Sequence, residues 1–70
     1  MKIKLDTVDK VKSFIARANT FDGKLYASCK GYKVDGKSIM GLFSLDLSKE
    51  IELTTDSTNF MNFAEPYRVD

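Results

Sequence analysis

A chain of 70 residues makes one small domain, and a chain of that size buries only about 60% of the surface its unfolded form exposes. Eleven Lys and Arg against ten Asp and Glu leave a formal charge of +1, which argues against a general nucleic-acid or membrane-surface binder. One cysteine excludes an intramolecular disulfide, so stability must come from a core built by a 43% hydrophobic composition, or partly from self-association.

Residues 2–5 alternate polar and apolar, which predicts a short strand with Ile3 and Leu5 inward. The same segment has neither the apolar region nor the cleavage site of a secretion signal. No apolar run is long enough to span a bilayer, and with a lone cysteine the expected location is the reducing cytoplasm. Asp6 and Thr7 are both good helix caps, and Asp9 stands where an acid suits the helix dipole. Val8, Val11, Phe14, Ile15 and Ala18 recur at helical spacing, which predicts an amphipathic helix over 7–20, stopped near Phe21-Asp22-Gly23.

Residues 24–30 alternate again, with Leu25, Ala27 and Cys29 on one face and Tyr26, Ser28 and Lys30 on the other. Gly31 marks a tight turn into a strand over 32–35, and Gly36 permits the bend into a short helix beginning near Ser38. Ile39, Met40, Leu42 and Phe43 are apolar on more sides than one short helix can bury against a sheet. Asp46-Leu47-Ser48-Lys49 reads as a polar turn, and residues 50–54 as a strand with Ile51 and Leu53 inward. A last helix follows, capped by Asp56 or Ser57, with Phe60, Phe63 and Ala64 on its inner stripe and Pro66 ending it. Residues 1–66 thus form the domain and 67–70 a tail.

The segment 37–45, K-S-I-M-G-L-F-S-L, closely resembles the matching segment of HPr, the histidine-containing phosphocarrier of the bacterial sugar phosphotransferase system. The rest of the chain is similar in spacing and pattern rather than identity. The resemblance implies an α+β fold: an HPr-like open-faced β-sandwich of order βαββαβα, with a four-stranded, mostly antiparallel sheet, helices on one face, and the last helix cut short by Pro66. Phe21 and Lys37 are spaced as their counterparts in HPr are. Extending that register back places Thr7 at the phosphoacceptor histidine, Asp9 at the arginine that steadies the phosphoryl group, and Lys10 at the following proline.

The chain has no histidine at all, so the relay chemistry of that family is absent and no catalytic residue is expected. Asp6 and Asp9 add a physical objection: carboxylates at a helix N-terminus occupy its amides and repel a phosphoryl dianion. Thr7 and Asp9 therefore read as capping residues, with Thr7 as an unusual phosphoacceptor the sharper alternative. An alcohol phosphoester lacks the transfer potential of phosphoimidazole and would end a relay rather than pass it on.

Ser38 matches the serine that a dedicated kinase phosphorylates in HPr of some bacteria. A known HPr paralogue lacks the histidine, keeps this serine and regulates carbon catabolite repression. The plain reading of Ser38 is an N-cap, and a regulatory phosphosite is compatible with it, since the helix dipole and Lys37 favour a phosphate there. Ile39, Met40 and Phe43 correspond to the apolar partner-docking patch of HPr, with core packing as the alternative; Leu42 reads as core. Gly41 inside the helix costs about 1 kcal/mol relative to alanine, which suggests close approach by a neighbouring backbone or a partner. Cys29 reads as a small buried hydrophobe, and no cofactor or metal is expected. Lys24, Lys30, Lys33 and Lys37 gather around the hairpin as a solvated surface or an attraction for an acidic partner.

The expected function is a regulatory protein-binding module of the phosphotransferase family, not an enzyme. Ser38 would be its phosphosite, and Lys37, Ile39, Met40 and Phe43 its partner-binding set. Its partners would be phosphotransferase or carbon-regulation proteins and a serine kinase, with neither nucleic acid nor membrane bound directly. Two alternatives stand beside it: a phosphocarrier-type role through Thr7, and a homodimerising or small-ligand-binding module that reuses the fold.

Overall fold

The computed structural model describes all residues 1–70. Its elements run β1 (Lys2–Ile3), α1 (Val8–Ala18), β2 (Leu25–Cys29), β3 (Tyr32–Asp35), α2 (Ile39–Phe43), β4 (Ile51–Thr55) and a 3-10 helix (Asn62–Tyr67). The strands form one sheet in the order β1-β4-β2-β3, and every neighbouring pair is antiparallel. This is an α+β architecture with an open four-stranded sheet.

The alternation seen in the sequence sets which face is buried. Leu25, Ala27 and Cys29 of β2 are buried, as are Ile51 and Leu53 of β4 and Ile3 of β1, while Tyr26, Ser28 and Glu52 stay half-exposed on the other face. Register fixes the match: Ala27 lies opposite Leu53 on one side and Val34 on the other. Helix α1 lays Val11, Phe14 and Ala18 on this apolar face, α2 adds Leu42, and the 3-10 helix adds Ala64 and Tyr67. Fifteen buried residues form one continuous cluster. Val8, expected on the inner stripe of α1, is the first residue of the helix and is exposed.

The β2–β3 hairpin turns through Lys30 and Gly31, at φ +51° and +81°. Two consecutive positive φ values define a type I′ turn, whose twist suits a two-residue hairpin. Gly31 takes its half of that turn without steric cost.

The C-terminal region departs from expectation in two ways. No helix starts at Asp56 or Ser57. Instead Ser57 and Asn59 turn the chain through their own side chains: the Ser57 amide donates to Thr55 Oγ1, the Asn59 amide to Ser57 Oγ, and Asn59 Nδ2 to the Asp22 carbonyl at 3.0 Å. Short polar side chains that bond nearby backbone compete with a helix, and here they win. Helical structure begins only at Asn62, in the 3-10 form and with Pro66 inside it, and Phe60 is 86% exposed rather than on an inner stripe.

Residues 67–70 do not hang free as a tail. The Lys4 amide donates to the Tyr67 carbonyl and the Val69 amide to the Lys2 carbonyl, and Arg68 bridges Ile3 in antiparallel fashion. The edge of β1 is thereby covered. Tyr67 is itself core: its ring meets Phe14 edge-on at 5.5 Å, and its hydroxyl shares a hydrogen bond with Ser13 Oγ. Phe63 packs on both Phe14 and Phe21, at 5.7 and 5.4 Å. These rings cover the apolar surface that a longer final helix would otherwise have to shield.

Candidate functional site

The chain reaches α2 through a tightly fixed bend. The Gly36 amide donates to the Leu25 carbonyl at 2.8 Å, and a Cβ at Gly36 would stand 2.9 Å from Leu25 Cβ, so only glycine fits. Asp35 closes the bend by accepting the Lys37 amide on Oδ1 at 2.9 Å, while its carbonyl accepts the Ser38 amide. Ser38 then sits in an extended conformation, and its Oγ accepts the Gly41 amide at 3.0 Å. This is an N-cap in the full sense: one of the orphan amides of the first turn is satisfied by the side chain.

Leu42 anchors α2 in the core, and Leu45 just past the helix does the same. The rest of the helix is turned outward. Met40 is 80% exposed, Phe43 45% and Ile39 37%. Positions 39 and 43, and 40 and 43, are neighbours on a helix surface, so the three side chains share one apolar flank. Gly41 faces the other way. A Cβ there would lie 3.3 Å from Val34 Cβ and 3.4 Å from the Asp35 carbonyl oxygen, so close approach to β3 accounts for the glycine.

Lys37 is occupied elsewhere. Its Nζ donates to the Phe21 carbonyl at 2.6 Å and lies 5.9 Å from the centre of the Phe21 ring. It ties the start of α2 to the loop after α1, and in this conformation it reaches toward neither the apolar flank nor Ser38 Oγ. The other hairpin lysines divide. Lys30 lies 3.9 Å from Asp46, whose carboxyl is held below its ordinary value first by hydrogen bonds from Ser48. Lys33 lies 4.4 Å over the Tyr26 ring, and Lys24 forms no ion pair.

The tip of α1 has a different composition. Thr7 Oγ1 accepts the Lys10 amide at 3.1 Å, so the hydroxyl fills the role of cap. Asp6 turns aside to Lys10 Nζ, at 2.9 Å, and that hydrogen-bonded ammonium holds its carboxyl below the ordinary range. Asp9 stands exposed in the first turn. Neither carboxylate plugs the amides as expected; the threonine does so, and the acids surround it.

Cys29 is buried, with its Sγ 4.0 Å from the Asp46 carbonyl. No group of three or more Cys, Asp and Glu side chains converges as metal ligands would, and nothing in the arrangement points to catalysis. No helix is long and apolar enough to cross a membrane. Sequence reading missed the joint environment of Lys24, Lys33 and Tyr26, which line a depression at the end of the hairpin. The signal was there in the alternation, since Tyr26 and Lys33 both fall on the solvent face, but it takes the register to bring them together. Neither family models, nor characterised proteins, nor solved structures give any match to the chain.

Proposed function

We propose that this chain is a non-catalytic relative of HPr that works by protein contact through α2, with Ser38 as its switch. The observation that carries the reading is the apolar flank of Ile39, Met40 and Phe43, exposed directly after a capping serine on a helix with no acid in its first turn. The element order β1-α1-β2-β3-α2-β4 and a short final helix support an HPr-type open-faced sandwich, and the segment 37–45 supports the family. The absence of histidine supports a regulator rather than a carrier. Its partners are then proteins of the phosphotransferase or carbon-regulation type, and a serine kinase. A phosphate on Ser38 would meet the positive end of α2 and need not unfold it.

The test is direct. Incubation with an HPr-type serine kinase and ATP should add the mass of one phosphate, and Ser38→Ala should abolish the gain; an unchanged mass removes the switch. Incubation with the upstream phosphotransferase enzyme and phosphoenolpyruvate should leave Thr7 unmodified, and a phosphothreonine there would restore the carrier reading. Sedimentation at micromolar concentration should give a monomer. A dimer dispersed by Met40→Asp would assign the flank to a second copy.

A further inference from the structure

The tripeptide D-G-K occurs twice in the chain, at 22–24 and at 35–37. Aspartate before glycine is prone to spontaneous rearrangement of the backbone. The glycine nitrogen can attack the aspartate side-chain carbon, because no Cβ on the following residue crowds the approach. The three asparagines, which react by the same route, precede Thr20, Phe60 and Phe63, whose side chains do crowd it. The two Asp-Gly pairs are chemically alike, and the fold alone distinguishes them.

Asp35-Gly36 is locked. The Gly36 amide donates to the Leu25 carbonyl at 2.8 Å and the Asp35 carbonyl accepts the Ser38 amide at 3.1 Å, so the peptide plane is held from both sides. The Asp35 carboxylate is held too, by the Lys37 amide at 2.9 Å, and Gly36 is buried. Attack by the Gly36 nitrogen must wait until this end of the hairpin opens, and opening of a core strand costs nearly as much as unfolding.

Asp22-Gly23 is open. The Gly23 amide donates to no acceptor in the protein, and the exposed Asp22 carboxyl takes part in no hydrogen bond or ion pair. Gly23 stands at φ +137°, a conformation suited to glycine alone. The Asp22 carbonyl accepts Asn59 Nδ2 at 3.0 Å and Ser57 Oγ at 3.4 Å. These donors sit where negative charge develops as the Gly23 nitrogen loses its proton, so they favour the attack. Asp56-Ser57, the next least crowded pair, has its amide bonded to Thr55 Oγ1 at 3.1 Å.

We propose that Asp22 is a site of spontaneous isoaspartate formation in the folded protein. The Gly23 nitrogen bonds to Cγ of the protonated Asp22 carboxyl, and the carboxyl hydroxyl leaves with the amide proton as water. The resulting five-membered imide then takes water back. Attack at the former main-chain carbonyl breaks the old bond to nitrogen and leaves the backbone running through Cγ, one carbon longer. Water is the sole co-reactant. The added carbon falls in the bend that follows α1, where space is short: a Cβ on Gly23 would stand 2.7 Å from Ser57 Cβ. The rearranged bend therefore releases residues 57–59 from Asp22. The α2 flank takes no part, so the site stands apart from the docking role given to that helix.

Ageing the full chain at neutral pH and physiological temperature tests this. Methyl transfer from S-adenosylmethionine by a protein isoaspartyl methyltransferase counts the product, and resistance to an endoproteinase specific for normal aspartate locates it. Isoaspartate should form at Asp22 about tenfold or more faster than at Asp35, which must wait for the sheet to open. In urea the two pairs should react at similar rates. Asp22→Glu keeps the charge but would need a six-membered ring, so it should remove the fast methyl-accepting signal; the side chain it replaces is exposed and bonds nothing. Amide NMR of the aged chain should show new signals for residues 21–24 and 57–60 and an unchanged core. Equal rates at Asp22 and Asp35 in the folded chain, a rate at Asp22 far below its value in urea, or a signal undiminished in Asp22→Glu would overturn the assignment.

Discussion

At the start of α1 the Thr7 hydroxyl accepts the amide three residues on, at 3.1 Å, and at the start of α2 the Ser38 hydroxyl does the same, at 3.0 Å. Both cap residues are extended, and both solve the problem of unpaired amides identically. What surrounds them differs. The first tip carries Asp6, Asp9 and an ion pair to Lys10, while the second carries no acid and is followed by three exposed apolar side chains. A cap therefore says where a helix begins and nothing of what its tip is for. The neighbours separate a tip ringed by acids, which disfavours a further anion, from one that carries no acid and is followed by an exposed apolar flank.

The sharpest way to probe the contrast within α2 is to divide its buried and exposed side chains. Leu42 is fully buried, so Leu42→Ala should cost about 2–5 kcal/mol, a large share of the stability of a chain this small. Met40→Ala removes a similar volume from a side chain that is 80% exposed and should cost less than about 0.5 kcal/mol. Urea denaturation of both variants checks this. Comparable losses would mean that Met40 is packed and the flank is not free.

The caps come next in size. Thr7→Ala and Ser38→Ala should each lower stability by about 1 kcal/mol, because each leaves one first-turn amide without its side-chain acceptor. Equality is the point of the comparison. If Ser38→Ala were neutral in denaturation, the serine would be placed for something other than the helix. If Thr7→Ala were neutral, the acids beside it would be taking over the amides.

Much of this was legible in the residues, and the misses share a cause. Alternation placed Leu25, Ala27, Cys29, Ile51 and Leu53 on the core face, and helical spacing placed Val11, Phe14 and Ala18 there. Ser38 was readable as a cap because the pattern is local. The segment after β4 was not, because Ser57, a plausible helix cap by type, and Asn59 instead turn the chain through side-chain bonds to Thr55 and to the Asp22 carbonyl, a contact no local spacing of Phe60, Phe63 and Ala64 reveals. The last four residues read as a tail because pairing with β1 is a contact across the whole chain, which no local pattern reveals. The intramolecular acceptor of Lys37, the Phe21 carbonyl, was hidden for the same reason, since it lies sixteen residues away in sequence. Gly41 was recognised as anomalous, and the structure supplies the neighbour, β3, that the sequence could not name.

The smallest effect concerns the charges at the α1 tip. Asp6 accepts a hydrogen bond from Lys10 and also feels its charge, so its carboxyl titrates below the ordinary value of about 3.9. A carboxyl whose pKa is depressed by folding contributes stability that is present above its unfolded value and is lost as pH falls through its folded value. The pair should therefore matter at neutral pH and vanish in acid. Lys10→Met should raise the Asp6 midpoint toward the ordinary value, read by the side-chain carboxyl shift in an NMR titration. The change in overall stability should be slight, since both partners are about half-exposed and solvent screens them. An Asp6 midpoint that does not move in Lys10→Met would place the carboxylate against the helix amides instead. The tip would then be blocked by its acids directly rather than by threonine, and the distinction drawn between the two helix starts would lose its local basis.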